Sequence, residues 1–173
     1  MRRITIIGAL LLLGGCGFHP LYGGMNSDMQ QTLSSIYVEP VPERIGYELR
    51  NTMIDLLDGP GTPSGASYRL KLGLTQTTQG IALQNDIQKN TTITRYNDTL
   101  TVTYELFDMA GHVVTKGTET GLSAYNVLPS VTLQQGAVAN YGTLIAQQDA
   151  DKRAAQDIAQ RIRFDLNVYF VKR

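Results

Sequence analysis

The chain has 173 residues, with 15 lysines and arginines against 15 aspartates and glutamates, two histidines and one cysteine. Charge this balanced excludes the global basic footprint of a nucleic-acid-binding protein. A lone cysteine excludes an internal disulfide, so the folded part holds together through its core and hydrogen bonds.

At the N-terminus Arg2 and Arg3 precede an apolar run, Ile4 to Leu13, which leads through Gly14 and Gly15 to Cys16. A basic region, a short apolar stretch and a small-residue cleavage site read as a secretion signal. The run is far shorter than the ~20 residues a membrane-spanning helix needs. Small residues ending at a cysteine resemble the lipobox of bacterial lipoproteins, whose cysteine becomes the acylated first residue. Residues 1–15 are therefore expected to be removed, and Cys16 to carry a diacylglycerol and an N-acyl chain. No other cofactor is expected. Loss of Arg2 and Arg3 leaves 13 basic against 15 acidic residues, a net charge of −2. Several acyl chains, at ~0.8 kcal/mol per buried CH₂, make a lasting anchor. The residue after Cys16 is Gly17, not the aspartate common in inner-membrane lipoproteins. By that analogy the destination is the outer membrane, periplasmic side.

Residues 16–35 read as a lipidated tether and docking segment, rich in Gly, Ser, Asn, Gln and Met and ordered only where something docks it. Ile36-Tyr37-Val38 is a short strand closed by Pro40 and Pro42. A helix is predicted from Glu43 to Leu57, with Ile45, Leu49, Met53, Leu56 and Leu57 on one stripe and Glu43 in the first turn. Asp58-Gly59-Pro60 stops it. Tyr68, Leu70, Leu72 and Leu74 then alternate with Arg69, Lys71 and Gly73, as in a half-buried strand. Gln76 to Lys89 is polar without a strong period and reads as a link to the next strand. There Leu100, Val102, Tyr104 and Leu106 alternate with Thr99, Thr101, Thr103 and Glu105. Asp108-Met109-Ala110-Gly111 signals a tight turn into a third long strand, His112 to about Tyr125. Gly117 and Gly121 within it indicate a bulge or a close backbone approach. Asn126 to Gly142 looks irregular. A closing helix is predicted from about Thr143 to Val171, with Ala155, Ile158, Ala159, Ile162, Leu166, Tyr169 and Phe170 on one face. Its other face carries the acid-before-base pairs Asp149→Arg153 and Asp157→Arg161.

The order β-α-β-β-β-α defines an α+β domain over residues 36–173: one mostly antiparallel sheet with two helices packed on one face. The opposite face would carry Arg69, Lys71, Thr99, Thr101, Thr103 and Glu105, bare to water or a docking surface. No catalytic constellation is legible. His19 and His112 lack sequence neighbours that would make either a base or a ligand, and glycine-rich phosphate loops and His/Cys metal spacings are absent. A binding or assembly protein is expected, not an enzyme.

Three stretches carry a family resemblance. Cys16-Gly17-Phe18-His19-Pro20-Leu21-Tyr22-Gly23 resembles the opening of LptE-type lipopolysaccharide-assembly lipoproteins. Arg44 to Asn51 is similar to that family's first-helix pattern, and Gln148-Asp149-Ala150 with Arg153-Ala154 to the start of its closing helix. The resemblance implies an outer-membrane lipoprotein lodged largely inside the β-barrel LptD, which it plugs and helps assemble for lipopolysaccharide transport to the outer leaflet. Under that reading Lys89, Arg95 and Lys116 are the candidate lipopolysaccharide-binding cations. Phe18, Pro20, Leu21 and Tyr22 form the candidate barrel-docking segment. A periplasm-facing lipoprotein accessory of an ABC transporter or a cell-wall synthase is the alternative.

Overall fold

A computed structural model describes residues 27–85, 91–127 and 133–172. Its elements are α1 (Ser27–Leu33), β1 (Ile36–Val38), α2 (Arg44–Leu57), β2 (Tyr68–Asn85), β3 (Thr91–Asp108), β4 (Val113–Asn126) and α3 (Leu133–Val171). The strands form one sheet in the order β1-β2-β3-β4. Short β1 runs parallel to β2, joined by the α2 crossover, and the other pairs are antiparallel. The α+β order read from the sequence is present, with one short helix ahead of it.

That helix lies inside the stretch expected to be a tether. Leu33 is buried and Met29 packs against the core, so α1 is held by docking. Two of its final carbonyls, which lack partners within a helix, are met by hydroxyls: Ser34 Oγ donates to Gln31 O (3.0 Å) and Ser35 Oγ to Thr32 O (2.6 Å), while Ser34 N–H donates to Gln30 O (2.8 Å).

β1 stops at Val38 because proline at 40 and 42 removes the donors a ladder needs. The helix that follows starts one residue later than predicted. Glu43 is its N-cap, at φ 68°, and its side chain makes no capping bond. At the other end Asp58 takes the left-handed conformation (φ 54°) and its N–H donates to Ile54 O, closing α2 before Gly59.

The core forms between the inner sheet face and the two longer helices. Leu70, Leu72, Leu100, Val102, Tyr104 and Leu106 meet Ile45, Leu49, Met53 and Leu57 of α2 and Ala154, Ala155, Ile158, Ala159, Ile162 and Leu166 of α3. Both helical stripes follow the predicted periodicity, with Leu56 and Phe170 only partly buried and Tyr169 half-buried outside the core cluster. α3 runs back along the sheet: Phe170 packs edge-on to Tyr68, Tyr104 Oη donates to Asp165 Oδ2 (2.8 Å), Arg161 Nη1 to Thr120 O (2.9 Å), and Gln76 Nε2 to Asp151 Oδ1 (2.9 Å).

Two expectations are corrected, and an either-or reading is decided. The described part of the Gln76 to Lys89 stretch, Gln76 to Asn85, is strand and not a link: β2 continues to Asn85 and β3 begins at Thr91, paired residue for residue apart from a register shift around Gly80–Leu83. β-branched threonines suit a pleated strand, and cross-strand pairing needs no apolar alternation where neither face is core. α3 begins at Leu133, ten residues before Thr143, so part of the irregular stretch is helical. The β3–β4 irregularity falls between Leu106 and Phe107, not at a β4 glycine. Of the two readings of the β4 glycines, close approach is the one that holds. A Cβ at Gly121 would lie 3.0 Å from Ile158 Cδ1 and 3.2 Å from the Ala154 carbonyl, and one at Gly117 would overlap the Tyr104 ring.

Candidate functional site

The face of the sheet turned away from the helices is built in rows by the strand register. Lys71, Glu105 and Lys116 form one row; then come Gly73, Thr103 and Thr118; Thr75, Thr101 and Thr120; Thr77, Thr99 and Leu122; and Gln79, Asn97 and Ala124. None of these residues is buried. Period-2 alternation sends every second side chain to this side, so the face follows from the same pattern that builds the core. Charge gathers at one end, where Arg69 also pairs with Glu39 (3.0 Å) and lies 5.2 Å over the Phe107 ring. The middle rows hold hydroxyls and amides without a single charged group. Leu122 stands out among them, 76% exposed.

Behind this face, beyond the apolar core, lies a buried polar cluster. Asp98 on β3 is 1% exposed and Asp151 on α3 is 4% exposed. Asp98 Oδ1 accepts from Thr78 Oγ1 (2.5 Å), while its Oδ2 has no partner. Its neighbour across β4 is Ser123, whose Oγ is also buried and unpartnered. Asp151 receives Arg44 Nη2 (2.6 Å) and Gln76 Nε2 (2.9 Å). Burial, followed by the negative field of Asp98, pushes the Asp151 carboxyl above the usual carboxylate range, against the pull of Arg44 and Gln76. Tyr125, stacked on Tyr96 at 5.6 Å, has its phenol pushed up by burial and then by Asp98. The cluster joins α2, α3 and all three long strands, and it places two carboxylates against one guanidinium.

The sequence missed this cluster although signals for it exist. Asp98 occupies the inward parity of Leu100, Val102 and Tyr104, and Asp151 stands one turn before Ala155 on the buried stripe. The tight turn is as predicted, with Gly111 at φ 85°. His112 does have a carboxylate beside it: its N–H donates to Asp108 Oδ1 (2.9 Å) and its Nδ1 lies 3.3 Å from Oδ2. Those bonds close the hairpin, and the backbone N–H of His112 is the main cause holding the Asp108 carboxyl below its usual range.

Arg95 and Lys116 are both exposed. Arg95 lies in register with Asn126 at the end of the sheet where β2 and β3 meet at Asn85 and Thr91, and Lys116 beside Glu105 at the opposite, charged end. Ten strand residues, about 33 Å, separate their rows, so the fold does not bring them together. Cys16, Phe18, Pro20, Leu21, Tyr22 and Lys89 lie outside the described residues. Among the described residues no group of three or more His, Cys, Asp or Glu side chains is placed to hold a metal. No described helix is long and apolar enough to cross a membrane.

The sequence profile of the LptE family, described as Lipopolysaccharide-assembly, matches residues 33–166. The chain belongs to the LptE family. The match begins at the buried Leu33 of α1 and ends at the buried Leu166 of α3, so the family pattern spans the core described above. The solved structure of a Caulobacter crescentus CB15 protein assigned as a lipoprotein resembles this LptE-family chain over 86% of its length and 99% of the other's, at 25% identity and a TM-score of 0.65. Weaker likeness extends to a minor lipoprotein from Acinetobacter baumannii (18% identity, TM-score 0.46, 77% and 88% covered) and to rare lipoprotein B from Shewanella oneidensis (13%, 0.46, 77% and 96%). No curated protein matches the chain.

Proposed function

We propose that this LptE-family chain is a non-catalytic outer-membrane lipoprotein, acylated at Cys16 and facing the periplasm, that plugs an LptD-like barrel and helps it assemble for lipopolysaccharide transport. The observation that carries the reading is the outer sheet face. Its middle rows, Thr75-Thr101-Thr120 and their neighbours, present hydroxyls and amides over three strands. A barrel lumen is lined by polar side chains, and an uncharged hydrogen-bonding face can pair with it without burying a charge. Lys89, Arg95 and Lys116 are then the candidate cations for lipid A phosphates, because guanidinium and ammonium groups give phosphates charge-assisted bonds. Phe18, Pro20, Leu21 and Tyr22 would dock beside the lipid anchor.

Purification of the full-length chain in mild detergent tests this reading. Co-elution of one large heat-modifiable barrel is the expected result. Co-elution of an inner-membrane permease or synthase in its place would overturn it.

A further inference from the structure

We infer that the N-terminal half of α3, through Tyr141, Leu144 and Ile145, docks on an uncharged wall of the partner barrel; this rests on the plug reading above. The three side chains stand at helical i, i+3, i+4 spacing, so they share one face of the helix. They are 66%, 47% and 44% exposed, while Ala139 and Ala150, before and after them in sequence, are buried. The contacts of Asp151, Arg161, Asp165 and Phe170 run progressively along the sheet, which carries the helix before Asp151 toward the end where β2 and β3 meet at Asn85 and Thr91.

Sequence supplies an independent observation. From Thr120 through Gln148 there is no Asp, Glu, Lys, Arg or His, although 17% of the chain is charged. At that density about five charged residues would be expected over the stretch. A water-facing helix ordinarily carries charge opposite its buried stripe. The C-terminal half of the same helix does so, with Lys152, Arg153, Asp157 and Arg161. A surface freed of charge while keeping an aromatic and two aliphatic residues is one that can be desolvated cheaply, and it matches the charge-depleted, aromatic-rich core of protein interfaces.

The flanking residues choose between a protein and a lipid occupant. Asn140, Gln147 and Gln148 bring amides that need hydrogen-bond partners, which hydrocarbon cannot supply. Helices that lie on membranes also carry Lys or Arg on the polar face, and this stretch has none. A protein wall of apolar and hydroxyl or amide side chains satisfies both conditions.

The experiment uses the full-length lipoprotein in its own cells, purified in mild detergent and probed for the barrel. Tyr141→Glu and Ile145→Lys are expected to lower barrel recovery at least tenfold, whereas Phe164→Lys, exposed on the charged half of the helix, leaves it unchanged. A photo-crosslinking residue at position 141, a mild change at an exposed site, is expected to join the chain to the barrel. It supplies the readout should a charged variant fold poorly. Wild-type recovery from Tyr141→Glu and Ile145→Lys, with no crosslink from position 141, overturns the docking inference and leaves the plug reading standing. Crosslinks from position 141 to a second copy or to lipid alone overturn it equally. Absence of the barrel from the wild-type preparation overturns the plug reading itself.

Discussion

Replacing Asp98 by Asn is expected to stabilise this protein, although Asp98 is among its most buried residues. The carboxylate sits with one oxygen held by Thr78 and the other unpartnered, in the field of Asp151. An amide of the same shape still accepts from Thr78 through its oxygen. Its NH₂ group adds a donor where Ser123 Oγ stands unpaired across the strand. A buried charged group lacking one partner costs about 1–3 kcal/mol. Asp98→Asn should therefore gain about 1–2 kcal/mol at pH 7. The pH dependence adds a second test. The Asp151 carboxyl is raised in the folded state, so its contribution is full below the unfolded value of about 3.9 and is lost as pH rises through the folded value. Wild-type stability should thus decline over that window above pH 4. In Asp98→Asn one of the causes of the raised value is gone, so the decline should be smaller and lie at lower pH. Urea unfolding of the chain freed of its first 16 residues, read as the midpoint between pH 4 and 8, measures both effects. A loss of more than about 1 kcal/mol at every pH would refute the reasoning, because it would mean the ionised carboxylate is a net stabiliser where it stands.

Gly117→Ala should cost about 1–3 kcal/mol, since its Cβ would lie 2.5 Å from Tyr104 Oη and force the ring off Asp165. Adding Tyr104→Leu should recover part of that loss in a double-mutant cycle of thermal melts. Cys16→Ser should move the chain from the membrane pellet to the soluble fraction and remove the acyl mass by mass spectrometry, with an unchanged circular dichroism spectrum. Arg95→Glu should reduce capture of purified lipopolysaccharide severalfold, and the same capture from Lys71→Glu should match wild type; equal behaviour of the two variants would count against Arg95.

Residue pattern by itself determined the elements that have a dry side. The stripes of α2 and α3 and the alternation of β2 and β3 near the core were legible because burial imposes a period of 3.6 or 2 on apolar side chains. The same alternation implied the threonine-rich outer face, which the structure leaves uncovered by any described helix. The lipobox and the Cys-Gly-Phe-His-Pro-Leu-Tyr stretch carried the family resemblance, and the profile match over residues 33–166 supports that family from other parts of the chain.

Where neither side is dry, pattern was silent and the fold alone decided. The far half of the β2–β3 hairpin is held by backbone ladder bonds, which any β-tolerant polar residue can make, so Gln76 to Asn85 looked like a link. The first ten residues of α3 include Gly136 and Gly142, poor helix formers, and so did not announce a helix. Asp98 and Asp151 are 53 positions apart, and only the run of α3 back across the sheet sets one carboxylate in the field of the other. The same run carries Tyr141, Leu144 and Ile145 to the uncharged end of the domain. Sequence shows that the stretch from Thr120 to Gln148 lacks charge; tertiary packing shows which of its residues are left facing outward.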